Sequence, residues 1–252
     1  MQHRKFKQLI LALSSVIAFG AAQATEIHFC YDQSECGPAN WGNLAEEFHL
    51  CKDGLNQSPV NLYRARDAKL PALKIDYKAT PLTIVNNGHT AQVNYASGST
   101  LTVGTKKYRL LQFHFHTPSE HLKDGRSYPL EAHLVHVDDY GNLAVLGLFL
   151  KEGDTTNSFL KPIFDNLPKT EGEVDIEGVS VNVAGLLPRN RDYFSYAGSL
   201  TTPPCSEGVT WMVLDDAVTV SKAQIEQFHA VFHNNARPEQ ALNGRTIRVL
   251  DN

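Results

Sequence analysis

Alternate residues of a β-strand face opposite ways, and the run Gln112-Phe113-His114-Phe115-His116 switches between polar and aromatic at every step. Read as a strand, it sends Gln112, His114 and His116 to one side and Phe113 and Phe115 to an apolar one. A second run, Glu131-Ala132-His133, repeats the spacing of an acceptor two residues before a histidine. If it returns beside the first, His133 joins His114 and His116 on one face. Three imidazoles with a fourth position open describe a catalytic zinc site rather than a structural one. A ligating imidazole needs its other ring nitrogen held by an acceptor, and Gln112 and Glu131 stand where acceptors for His114 and His133 would be. A lone His-x-His is better explained by packing or surface histidines; the third histidine and the two acceptors separate this pattern from that one.

The N-terminus reads as a secretory signal. His3, Arg4, Lys5 and Lys7 form a basic start, 9–19 is apolar apart from Ser14 and Ser15, and Ala22-Gln23-Ala24 is a small-x-small cleavage site. Cleavage after Ala24 leaves 228 residues, 25–252, a length suited to one domain. It also removes Arg4, Lys5 and Lys7 and no acid, moving the formal charge from −4 to −7. An acidic exported chain argues against nucleic-acid or anionic-membrane binding, and no later segment is apolar for long enough to span a bilayer. The expected location is the periplasm or the medium. Cys30, Cys36, Cys51 and Cys205 remain after cleavage. An oxidising compartment favours disulfides, with three possible pairings. A cysteine metal site is the alternative, although Cys30-x5-Cys36 is a poor zinc knuckle.

The body reads as strands at 82–85, 91–95, 100–103, 108–116, 130–137, 143–151, 179–183, 193–196 and 209–214, separated by turn signals such as Asn86-Asn87-Gly88 and Asp124-Gly125. The nearly unbroken apolar run 143–150 predicts a central strand buried on both faces. Helices are few. Ser221 and Gln224 form a capping box ahead of Ile225, Phe228 and Phe232, and a second helix is expected over about 155–165. The fold class is mainly β, one domain with short peripheral helices.

The chain resembles the α-class carbonic anhydrases in their exported bacterial form, over essentially all of 25–252. The motifs that carry the likeness include Gly37-Pro38-Ala39-Asn40-Trp41, Asn56-Gln57-Ser58-Pro59-Val60, Asn86-Asn87-Gly88-His89, the run 112–116, Ser119-Glu120-His121, the run 131–136, Val209-Thr210-Trp211 and Asn235-Ala236-Arg237-Pro238. The resemblance implies a large twisted, mostly antiparallel sheet of about ten strands with Zn2+ at the bottom of a conical cleft. It implies His114, His116 and His133 as ligands, with Gln112, Glu131 and the Asn235 carbonyl holding their outer nitrogens. It further implies reversible hydration of carbon dioxide to bicarbonate and a proton, by attack of zinc-bound hydroxide.

Other roles follow from the same likeness. Thr201 would orient the hydroxide while passing its own hydroxyl proton to Glu120. Val135, Val145, Leu200, Thr202, Val209 and Trp211 would line the substrate pocket. His89 would carry the proton to solvent, with Tyr31, Asn86 and Gln112 supporting a water chain. Cys51 and Cys205 match the pair bridged in exported members, which leaves Cys30 and Cys36 as a second pair that the family does not generally carry. Sulfonamide and anion inhibitors and a homodimer are further expectations. His121 and His136 are expected to hold internal hydrogen bonds, and His28, His49, His229 and His233 to lie at the surface or in packing. Two rivals stay open: a cupin-type metal enzyme, in which Glu120 would be a ligand, and a non-catalytic carbonic anhydrase-like binding module.

Overall fold

The computed structural model describes residues 27–250. The expected signal segment and its cleavage point after Ala24 lie outside the described residues. The strands are β1 (Asn61–Leu62), β2 (Arg66–Ala68), β3 (Leu73–Asp76), β4 (Thr80–Asn86), β5 (Ala91–Asn94), β6 (Thr100–Val103), β7 (Lys106–His116), β8 (Leu122–Lys123), β9 (Leu130–Val137), β10 (Leu143–Gly153), β11 (Gly172–Val181), β12 (Tyr193–Ser199), β13 (Glu207–Ser221) and β14 (Arg248–Leu250). The helices are α1 (Trp41–Leu44), α2 (Leu50–Asp53), α3 (Lys161–Phe164) and α4 (Lys222–Phe232). Ten strands run in one path, β11-β4-β5-β7-β9-β10-β13-β12-β14-β2, and β3 and β6 attach beside it to make a sheet of twelve. Most pairs are antiparallel; β10–β13 and β14–β2 are parallel.

The apolar run at 143–150 becomes β10, flanked by β9 and β13, with residues 144–150 buried. Its side chains alternate between two cores. Leu146 and Leu148 join Phe113, Phe115 and Phe228 on one face, and Val145 and Phe149 join Trp211 and Val213 on the other. Burial on both faces is why this stretch carries no polar alternation. α4 begins as expected: the Ser221 hydroxyl accepts from the Gln224 N–H at 3.3 Å, and Gln224 Oε1 accepts from the Ser221 N–H at 3.2 Å. Phe228 and Phe232 are buried, with Ile225 packed on the same core.

Three expectations need correction. The helix expected over 155–165 is only Lys161–Phe164. The Asn157 side chain caps the N–H groups of Phe159 and Leu160, and Pro162 contributes no N–H, so regular helix is confined to one turn. β11 starts at Gly172 rather than at 179; Val174 and Ile176 alternate with Glu173, Asp175 and Glu177, and a register break before Ser180 interrupts the pattern. β3, which pairs with β6, and the helices α1 and α2 were not anticipated.

Both disulfides are present, Cys30–Cys36 and Cys51–Cys205, and no free cysteine remains among the described residues. The second spans 154 residues and ties α2 to the loop after β12. A crosslink over so long a segment removes much of the freedom of the unfolded chain. Replacing Cys51 and Cys205 together by serine is expected to cost about 2–5 kcal/mol of stability. Calorimetry or chemical denaturation measures it, and an unchanged melting temperature would contradict it.

Candidate metal centre

β7 and β9 lie antiparallel, with His114 opposite His133 and His116 opposite Glu131, after a register shift between Leu110 and Gln112. The shift falls next to the histidines, where bulges commonly re-aim side chains. Gln112, His114, His116, Glu131, His133 and Val135 therefore share one face, and Phe113 and Phe115 go to the core behind.

Each imidazole has one nitrogen tied outward. His114 Nδ1 meets Gln112 Oε1 at 2.8 Å, His116 Nδ1 meets the Asn235 carbonyl at 2.8 Å, and His133 Nε2 meets Glu131 Oε1 at 2.9 Å. An acceptor on one ring nitrogen fixes the tautomer, so Nε2, Nε2 and Nδ1 are left as lone-pair donors pointing inward. One nitrogen from each of the three rings lies within 4.8 Å of the others.

Burial pushes the imidazole pKa of His114 well down and that of His116 down, and the neighbouring histidines reinforce both shifts. Burial opposes protonation of His133 as well, but the Glu131 carboxylate, by charge and hydrogen bond, outweighs it and raises that pKa. Burial would likewise raise Glu131, yet His121 and His133 hold it well below the usual carboxylate range.

Two atoms stand out. His116 Nε2 and Glu120 Oε2 are fully buried, have no hydrogen-bond partner among the described residues, and sit 3.5 Å apart. Buried polar atoms are rarely left unpaired. A cation shared by the three inward nitrogens satisfies His116 Nε2 and lies in the field of the carboxylate, so the donor set fits a divalent metal with nitrogen ligands. The other candidate clusters do not compete. Glu131 bridges His121 and His133 by hydrogen bonds of 2.7 and 2.9 Å, and Cys30 and Cys36 are joined to each other.

A cleft of about 250 Å³ opens over His114 and His116, bordered by Tyr31, His89, Gln112 and Thr202. Asn86 turns away from it: its amide donates to the Pro168 carbonyl and accepts from the Gly88 N–H, and Asn87 is the asparagine that borders the cleft. Val135, Val145 and Trp211 line up across β9, β10 and β13, one row from His133, and Val209 and Leu200 belong to the same apolar cluster. Thr201 is buried. The hydrogen bond expected between Thr201 and Glu120 is not formed in this structure: Glu120 Oε1 accepts the Arg237 N–H at 2.8 Å and Oε2 has no partner.

His121 and His136 are internally hydrogen-bonded, His121 to Glu131 and Tyr196 and His136 to Tyr77. Sequence reasoning missed Tyr196 and Arg237 as parts of the site. Arg237 is buried, its guanidinium donating to Gln57 Oε1 and to the carbonyls of Ser58 and Cys51. Burial lowers its pKa to about 10. Those partners lie about 180 residues away, beyond any local pattern.

A family profile described as eukaryotic-type carbonic anhydrase matches residues 36–250. The chain belongs to the α-class carbonic anhydrase family. It is 45% identical over 240 residues to a carbonic anhydrase of Neisseria gonorrhoeae, covering 94% of each chain. Among solved structures it superposes on a hyperthermostable carbonic anhydrase from an active hydrothermal vent chimney, with TM-score 0.86 and 45% identity, covering 89% of this chain and all of that one. The α-carbonic anhydrase of Thermovibrio ammonificans, solved with sulfanilamide, gives TM-score 0.85 and 42% identity over 89% of this chain and all of that one. Membership makes this protein a metalloenzyme of the carbonate dehydratase class, and the cupin alternative falls with it.

Glu131 ties the centre together, so Glu131→Ala is expected to lose about 3–5 kcal/mol through uncompensated buried donors. The sign with pH follows from its lowered pKa. The stabilisation is full above the unfolded carboxyl value and is lost as pH falls through the folded one. The variant's deficit in urea unfolding should therefore be large at neutral pH and shrink in acid; a deficit independent of pH would contradict the assignment.

Proposed function

We propose that the centre holds zinc and that this carbonic anhydrase hydrates carbon dioxide there, with proton transfer to solvent through His89. The observation that carries the reading is the set of three buried imidazoles, each with one nitrogen fixed outward and one free to ligate. His114 Nε2, His116 Nε2 and His133 Nδ1 would be the ligands. Zinc, when bound, acidifies a water molecule into a nucleophile at neutral pH, an effect for which carbonic anhydrase itself is the reference case.

The remaining work falls to the chain. Gln112, the Asn235 carbonyl and Glu131 hold the rings in one tautomer. The Thr201 hydroxyl would turn its hydrogen to Glu120, a bond not formed in this structure, and offer a lone pair to the reacting oxygen. Glu120 is prepared for this, since Arg237 occupies Oε1 and leaves Oε2 open. Val135, Val145, Leu200, Val209 and Trp211 give carbon dioxide, which has no hydrogen to donate, an apolar wall, and Thr202 borders the entrance. His89 takes up the proton once bicarbonate has gone.

Residues 25–252 form the catalytic domain in this reading, and 1–24 direct export to the periplasm or medium; the two disulfides suit an oxidising compartment. Sulfonamides are expected inhibitors, as the Thermovibrio complex suggests by analogy. The protein is expected to form homodimers.

Stopped-flow hydration before and after chelation tests the activity. His133→Ala is expected to lose zinc, measured by atomic spectroscopy, together with turnover. Gln112→Ala is expected to weaken zinc retention about 10–100-fold by releasing His114. A His133→Ala protein that keeps stoichiometric zinc would refute the ligand set.

A further inference from the structure

β14 sets two arginines side by side. Arg248 and Arg66 are register partners in the parallel β14–β2 pair, so their side chains leave the sheet on the same face, and both are exposed. Like charges directly opposite each other on paired strands are destabilising. A third guanidinium, that of Arg245, lies with Arg248 in the wall of a cavity of about 400 Å³. We infer that Arg66, Arg245 and Arg248 form a binding site for a phosphate-type oxyanion, on the face of the sheet opposite the histidines.

The register places the site. Val135, Val145, Trp211 and Tyr196 make one row on the histidine side of the sheet. Ser195, Ala197 and Thr210 alternate with that row and look to the reverse face. Arg248 stands opposite Ser195, and Arg66 opposite Arg248, so both follow them there. No acidic residue lines the cavity, whereas Ser195, Thr210 and Thr246 do and bring hydroxyl donors. None of the three arginines makes an ion pair among the described residues. In a chain whose formal net charge is −4, three uncompensated cations in one place run against the general balance.

Arg245 is the fixed element. Its Nε donates to the Leu242 carbonyl, Nη1 to that of Ala197, and Nη2 to those of Gln57 and Ala241. Four of its five hydrogens are therefore held by neutral acceptors, which leaves one on Nη1 and an unpaired positive charge. Glu207, the nearest acid by charge effect, is itself bonded to Asn56 and Gln57. Burial lowers the Arg245 pKa more than Tyr196 and Glu207 raise it, as expected of a cation short of counter-charge. Arg66 and Arg248 carry flexible side chains that can close on an anion from the exposed side. A planar guanidinium matches two phosphate oxygens at once, and a dianion between the two arginines turns their repulsion into attraction.

The test titrates inorganic phosphate into the protein, by calorimetry and phosphorus NMR. Sulfanilamide is kept at saturation to hold anions off the metal centre, and the titration is repeated on chelated protein so that the outcome does not depend on that centre. Arg66→Ala and Arg248→Ala are each expected to weaken binding about 2- to 10-fold, and R66A/R248A to abolish it. Stability gives a second readout. In phosphate-free buffer of low ionic strength Arg248→Ala should melt above the parent protein, because its repulsion from Arg66 is gone. Saturating phosphate should reverse that order, since it stabilises only the protein that binds it, and sodium chloride at equal ionic strength should not. No uptake at millimolar phosphate, uptake that R66A/R248A leaves unchanged, or a melting order that phosphate fails to reverse would overturn the site. Vesicles of phosphatidylglycerol in phosphatidylcholine separate the sources of the group. Sedimentation with them that R66A/R248A abolishes, without uptake of inorganic phosphate, would overturn a free oxyanion in favour of a lipid head; uptake without sedimentation supports the free anion.

Discussion

The site hangs on one buried carboxylate. Glu131 is fully buried and accepts four hydrogen bonds: the backbone N–H groups of Glu120 and His121 on Oε2, and the rings of His121 and His133 on Oε1. A lone carboxylate in such a place is costly, and only complete hydrogen bonding makes it tolerable. Complete bonding also makes it informative. The same oxygen that orients His133 holds His121, which reaches Tyr196 and then Ser58. The same side chain fixes the backbone from which Glu120 projects. Gly147, opposite His133, contributes by having no side chain; a Cβ there would come within 3.1 Å of Glu131 Oε1.

The sheet supplies what that carboxylate cannot. Strand pairing sets His114 against His133, and β10 carries an apolar row beside the histidines through its parallel contact with β13. Trp211 sits in that row and presses its ring on His133 at 4.8 Å and on His121 at 4.7 Å. One aromatic side chain therefore forms part of the apolar row and limits the motion of the His133 ring. The polar and apolar halves of the site are separate rows of one rigid surface, and their spacing follows from strand geometry.

Much of this was legible in the chain because it is periodic. The strands at 108–116 and 130–137, the doubly buried strand at 143–151 and the cap at Ser221 each declare themselves within a dozen residues, and the three converging histidines follow from two such strands. What was hidden is held by distant contacts or by exceptions to periodicity. Asn86 and Asn87 are neighbours of the same type, and only the turn decides which one borders the cleft. The one-turn α3 depends on Asn157 and Pro162 against an otherwise helical stretch. Arg237 is an arginine in a loop until its partners at Gln57, Ser58 and Cys51 are assembled around it.

The unpaired oxygen of Glu120 shows how that hidden scaffold is used. Glu120 Oε2 is fully buried with no partner among the described residues, and buried polar atoms are rarely left so. The other oxygen of the same carboxylate is clamped by the Arg237 N–H, and the Arg237 side chain is in turn pinned to three groups from the segment 51–58. The Cys51–Cys205 disulfide joins that segment to the loop that carries Thr201. The Arg237 N–H thus restrains Glu120, and the segment that holds Arg237 is covalently linked to the loop that carries Thr201. The carboxylate so restrained lies 3.5 Å from His116 Nε2 and 3.8 Å from His133 Nδ1, within the field of the three histidines.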